Sequence, residues 1–140
     1  MNVEDAAQNA LSVLTVDGTF FIKKIEYDEK AFGNIYIQVN SKGKIGLCFT
    51  RDRGEFFCYI VRAGQWYDAE DVFGVLNIDI DPPEKHVEFF DYVAAIANLL
   101  KENWNELRCA FGIRNAKRTK TKLKALEAQR AIKMNGGFSV

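Results

Sequence analysis

One histidine, three cysteines and two closely spaced pairs of carboxylates are the side chains in this sequence whose chemistry could make or break bonds. His86, set between Lys85 and Val87, would need a nucleophile and an orienting group brought to it in space that the sequence does not supply, and it is expected to have a surface or capping role. Cys48, Cys58 and Cys109 show no C-x-x-C spacing. With a single histidine they offer none of the short-range ligand pairs that mark zinc sites, so neither a metal nor a cofactor is expected. Asp68 and Asp71 have the spacing of a helix N-terminal cap, and Asp79 and Asp81 lie beside Pro82 and Pro83, where acid/base work would need partners that the spacing does not supply. Neither G-x-G-x-x-G nor G-x-x-x-x-G-K-[ST] occurs, which removes the common phosphate cradles. No catalytic set is expected; the chain reads as a binding protein and not as an enzyme.

The charges suggest where binding would occur. The formal net charge is zero, yet residues 1–100 carry nine basic and sixteen acidic side chains, and residues 101–140 carry ten basic and three acidic. Such a division points to an acidic surface for a basic partner, or to a basic arm that touches phosphate. Asp79, Asp81, Glu84, Glu88 and Asp91 place five carboxylates within thirteen residues, and they form the expected partner-binding patch. Arg114, Lys117, Arg118, Lys120, Lys122 and Lys124 form an acid-free run of six cations, the candidate for phosphate contact. No aromatic residue is interleaved with that run for base stacking, so nucleic acid is the weaker expectation.

These residues must be carried by a small number of elements. Ala6, Ala7, Ala10, Leu11 and Leu14 recur at helical spacing behind Asn2, a candidate N-cap, and the helix stops before Asp17-Gly18. Residues 19–27 are β-rich. Ile35, Ile37 and Val39 then alternate with Tyr36 and Gln38, and Ile45, Leu47 and Phe49 repeat the alternation after the turn at residues 40–43, so the two runs predict a hairpin. Residues 51–54 make the next turn. The run that follows, 55–62, is apolar in both alternating sets, which predicts a central strand covered on both faces, with Cys48 and Cys58 on neighbouring strands and able to face each other. Asp68 opens a helix with Val72, Phe73, Val75 and Leu76 as its stripe. Apolar residues at threes and fours from Lys85 to Phe111 predict one amphipathic helix, with Gly112 as a left-handed cap, and residues 115–135 a last helix. The sum is an α+β fold: an antiparallel meander of about four strands packed against helices, with a helical C-terminal half. A single domain over 1–140 is expected, sheet-rich from 17 to 66 and helical from 68 to 135.

Composition bounds the rest. A chain of 140 residues with 48% hydrophobic and 27% charged side chains is long enough to bury a substantial core without disulfides, and disorder or collagen is excluded. No apolar run reaches eighteen residues and no basic residue precedes an early apolar stretch, so neither a membrane span nor a secretory leader is expected. An odd number of scattered cysteines points to a reducing compartment, and a cytoplasmic location is expected. Nothing in the pattern fixes an oligomeric state.

Three short phrases, taken together, carry a resemblance: Tyr27-Asp28 with Phe32-Gly33-Asn34, then Arg51-Asp52-Arg53-Gly54-Glu55, then Trp66-Tyr67-Asp68. In this order, over about residues 20–80, the chain resembles small bacterial proteins encoded beside polymorphic toxins, including those of contact-dependent inhibition systems, and taken to be their immunity proteins. The resemblance implies a protein that binds a cognate toxin, such as a nuclease, and blocks it. The physical content of the phrases is turn chemistry and an aromatic anchor. The alternative expectation is a nucleic-acid-binding or regulatory module that uses the basic C-terminal helix.

Overall fold

Alternating β-branched and aromatic residues, punctuated by Gly-containing turns, produce a meander in which every strand pairs with its neighbour in sequence. The computed structural model describes residues 2–79, 88–112 and 115–136, with side chains to residue 129. The sheet has five antiparallel strands in the order β1 (Phe20–Asp28), β2 (Asn34–Ser41), β3 (Ile45–Asp52), β4 (Glu55–Arg62) and β5 (Gln65–Asp68). The fifth strand is built from Trp66-Tyr67-Asp68, expected to be only an anchor before a helix. Its hairpin to β4 forms because Ala63 and Gly64 both take positive φ, 52° and 75°, as do Arg53 and Gly54 between β3 and β4, at 52° and 82°. Two consecutive left-handed residues are what a two-residue turn needs to match strand twist, and glycine occupies the second position at little cost.

Helices cover one face of this sheet. They are α1 (Val3–Ala10), α2 (Ser12–Thr15), α3 (Ala69–Val75), α4 (Phe89–Glu102), α5 (Trp104–Ala110) and α6 (Ala116–Gly136). Asn2 caps α1, its side-chain oxygen accepting from the Glu4 and Asp5 N–H groups, and Asp68 caps α3 through Glu70 and Asp71 in the same way. Ile35, Ile37 and Val39 of β2, Leu47 and Phe49 of β3, and Cys58 and Ile60 of β4 point toward the helices and are buried. They join Leu11, Leu14, Val72, Phe73, Val93, Ile96 and Leu100 in one continuous core. Edge-to-face contacts of Phe56 with Phe89 and of Phe20 with Trp104 extend it to the sheet margins.

Two expectations about the helical half are corrected. The long helix is two: Asn103 sits at φ −112°, ψ 17°, and its amide donates to the Leu99 carbonyl at 2.9 Å, ending α4 there. Its N-terminal part, residues 85–87, lies outside the described residues. Gly112 does not have positive φ; its carbonyl instead accepts from the Asn115 and Ala116 N–H groups, leading the chain toward α6. A Cβ there would lie 3.3 Å from the Cys109 carbonyl oxygen, a tight contact that the backbone would have to relieve by a few tenths of an ångström. The start of α6 is then fixed by the buried Thr119 hydroxyl, which donates to the Ala110 carbonyl at 2.7 Å.

Candidate functional site

The side of the sheet away from the helices carries a second set of residues, and strand pairing identifies them. In successive rows they are Asp28, Asn34, Asp52 and Glu55; Glu26, Tyr36, Thr50 and Phe57; Lys24, Gln38, Cys48 and Tyr59; and Phe21, Asn40, Gly46, Val61 and Trp66. No described element packs over this face. Among the described residues the expectation that β4 is covered on both sides is therefore corrected: Phe57, Tyr59 and Val61 are half-buried by one another and by their cross-strand neighbours, and no described element forms a second layer over them. Phe57 stacks on Tyr59 with ring centroids 6.2 Å apart, and Tyr59 meets Trp66 at 5.6 Å. Phe21 and Trp66 are each half exposed.

Beneath these rings lies Cys48. It pairs across the ladder with Tyr59, whereas Cys58 pairs with Phe49, so the two thiols point to opposite faces and do not meet. Burial pushes the Cys48 thiol up to about 11, against a smaller opposing effect of the Tyr36 hydroxyl, and drives Cys58 well above its ordinary value. Both are thiols, not thiolates, at neutral pH, and so are poor nucleophiles. Desolvation also raises the Tyr36 and Tyr59 hydroxyls, which remain hydrogen-bond donors. No group of three or more His, Cys, Asp or Glu side chains placed to hold a metal occurs among the described residues.

Two shallow hollows interrupt the open face, and Tyr36 walls both. One, of about 290 Å³, is lined by Gln38, Asn40, Cys48, Val61 and Trp66 around the bare backbone of Gly46. The other, of about 600 Å³, lies toward the end where the β1–β2 and β3–β4 turns meet and is lined by Glu26, Asp28, Asp52, Thr50, Phe57 and Tyr59. This end is held rigid by a clip between the two turns. Arg51 donates from Nε and Nη2 to the Gly33 carbonyl at 3.0 and 2.7 Å. Asn34 donates to Asp52 Oδ1 at 3.3 Å and accepts from the Arg53 N–H at 2.9 Å. The Arg53 guanidinium lies 5.9 Å from the Phe32 ring centroid. The phrases Phe32-Gly33-Asn34 and Arg51-Asp52-Arg53-Gly54 are thus one structural device, although 18 residues separate Gly33 from Arg51.

No family model, curated protein or solved structure matches the chain. No described helix is long and apolar enough to cross a membrane. Of the expected acidic patch, Asp79, Glu88 and Asp91 are exposed, with Glu88 at the N-cap and Asp91 in the first turn of α4. Asp81 and Glu84 lie outside the described residues, as does His86. Of the basic run, Lys117, Arg118, Lys122 and Lys124 are exposed on α6 and Lys120 is half-buried, while Arg114 lies outside the described residues. The helix turns Thr119 and Leu123 inward, so its cations face solvent. Sequence reasoning missed Glu26, Tyr36, Phe57, Tyr59 and Trp66 as a surface. The available signal was the doubly apolar β4, whose outer set is aromatic where the outer sets of β2 and β3 are mostly polar.

Proposed function

We propose that this protein acts by binding, as a toxin-neutralising immunity protein that occludes a cognate bacterial toxin. The observation that carries the reading is the sheet face, covered by none of the described helices, with Tyr36, Phe57, Tyr59 and Trp66. Tyr and Trp combine large apolar area with a polar tip and few rotatable bonds, and they are enriched at the centres of protein interfaces. Carboxylates at one end of that face and on α4 support a basic partner, because complementary charge speeds encounter and fixes orientation. A toxin acting on nucleic acid would supply such a surface. An immunity protein of this kind works in the cytoplasm, and scattered unpaired cysteines support a reducing compartment.

The test is co-expression with the toxin-like product encoded beside the gene. The expected outcome is a complex that survives gel filtration, inhibits the toxin stoichiometrically, and protects cells that express it. Toxin activity unchanged by an excess of this protein would overturn the reading. A second reading, binding of nucleic acid, is favoured by one observation: the solvent-facing cations Lys117, Arg118, Lys122 and Lys124, with no acid from 114 to 124. It requires affinity for duplex or single-stranded nucleic acid that falls steeply with salt, and fails if none is detected at low salt.

A further inference from the structure

Resting on the binding function above, we propose that the hollow between Tyr36, Phe57 and Tyr59 is the docking point for an arginine side chain on a basic protein surface. No described element covers the face around it, and the chemistry of its floor and rim selects a cation. Aromatic rings line the floor, and the negative face of such a ring attracts a guanidinium within about 6 Å. Glu26, Asp28 and Asp52 stand at the rim. Asp28 is held by its own turn and Asp52 by the neighbouring one: one oxygen of Asp28 accepts from the Lys30 and Ala31 N–H groups, both at 3.1 Å, and one oxygen of Asp52 accepts from Asn34. Each carboxylate keeps acceptor capacity on its other oxygen. They are therefore preorganised, and ordering them on binding costs little.

The nearby cations do not cancel this charge. Lys24 forms an exposed pair with Glu26 at 2.5 Å, which a better-placed guanidinium can displace. Arg51 also lines the hollow, but its guanidinium is committed to the Gly33 carbonyl and lies 5.9 Å from the Phe89 ring centroid on the covered side, and the Arg53 guanidinium is drawn to the Phe32 ring, 5.9 Å from its centroid. Arginine fits better than lysine because its plane stacks on rings while its edge bonds a carboxylate at two points. An anionic polymer would meet three carboxylates and be repelled. A second copy of this chain, offering the cations of α6, would make a head-to-tail contact, seen as self-association that grows with concentration.

The probe is a hexa-arginine peptide titrated into the full-length protein and followed by backbone amide NMR, with hexa-glutamate as control. The expected shifts centre on Glu26, Tyr36, Thr50, Phe57 and Tyr59, saturate, and weaken with salt. Glu26→Gln should reduce affinity severalfold and Glu26→Lys about tenfold or more, whereas the double variant Glu4→Gln, Asp5→Asn, at exposed positions in the first turn of α1, should change it less than twofold. Glu26 is exposed, and a thermal midpoint within a degree or two of the parent shows that the fold is intact. Shifts centred on Glu88 and Asp91, or indifference to Glu26→Lys, overturn the proposal, as does concentration-dependent self-association that Glu26→Lys abolishes. A toxin complex that tolerates Glu26→Lys sinks the docking point and spares the function. Peptide binding at the hollow, with no toxin inhibited, sinks the function and spares the docking point.

Discussion

The two faces of one sheet differ in what buries them. On the helix side, Ile37, Val39, Phe49 and Phe73 have no accessible surface at all, and their partners come from helices distant in sequence. On the open side, Tyr36, Phe57 and Tyr59 shield one another only partly, and Trp66 remains half exposed. Both faces are rich in aromatic side chains, so composition alone does not separate them. The difference shows that an apolar strand face is a core only if something lies on it; without a cover it is a surface with the energetic character of an unfinished interface.

The comparison can be broken most directly by truncating one ring on each face. Phe49→Ala should lower unfolding free energy by about 3–5 kcal/mol, because the ring is wholly enclosed and the site cannot collapse around the loss. Phe57→Ala should cost only about 1 kcal/mol, roughly the worth of its stacking on Tyr59, and should reduce partner affinity more than it reduces stability. Denaturant titration of the two variants checks the difference. Equal losses would mean that the open face is packed as a core.

The clip between the two turns ranks next. Arg51→Ala leaves the Gly33 carbonyl without two charge-assisted donors and removes the cation beside Phe89, and should cost about 1.5–3 kcal/mol. Arg51→Lys should recover only part of this, since an ammonium cannot reproduce the two-point geometry. Because the clip also holds Asp52 through Asn34, Arg51→Ala should broaden the amide resonances of residues 31–34 and 52–54 while leaving those of β4–β5 sharp. Uniform broadening would show that the clip does not act locally.

How much of this was legible beforehand follows the range of the interactions. Strand alternation and the caps at Asn2 and Asp68 are local, and the strands β2, β3 and β4 appear within a residue or two of their expected bounds. The break at Asn103 was not legible, since Leu100, Trp104 and Leu107 keep helical spacing across it, and what marks it is the non-helical backbone of Asn103 with its side-chain amide donating to the Leu99 carbonyl. A four-residue β5 is too short for periodicity to reveal; it exists because the left-handed Ala63-Gly64 turn delivers it to β4. The open face was illegible for a different reason. An outer aromatic set predicts that something covers it, and whether that cover is a helix of the same chain or another protein is decided by where the helices go.

The smallest expected effect concerns Gly46, and its sign is informative. Glycine within a strand sacrifices about 0.5–1 kcal/mol relative to alanine, and it commonly marks a bulge, a bend or a close approach. Gly46 stands in regular register between Asn40 and Val61 and does not have positive φ. A Cβ there would meet Asn40 Oδ1 and the Val39 carbonyl oxygen at 3.4 Å and Val61 Cβ at 3.9 Å, ordinary contact distances. Neither conformation nor crowding demands the missing side chain; what its absence maintains is the smaller hollow beside Trp66. Gly46→Ala should therefore raise stability slightly, by up to about 1 kcal/mol, while narrowing the hollow. If partner affinity falls as stability rises, the open face is shaped for a neighbour; if affinity is unchanged, contact is confined to the acidic end of the sheet.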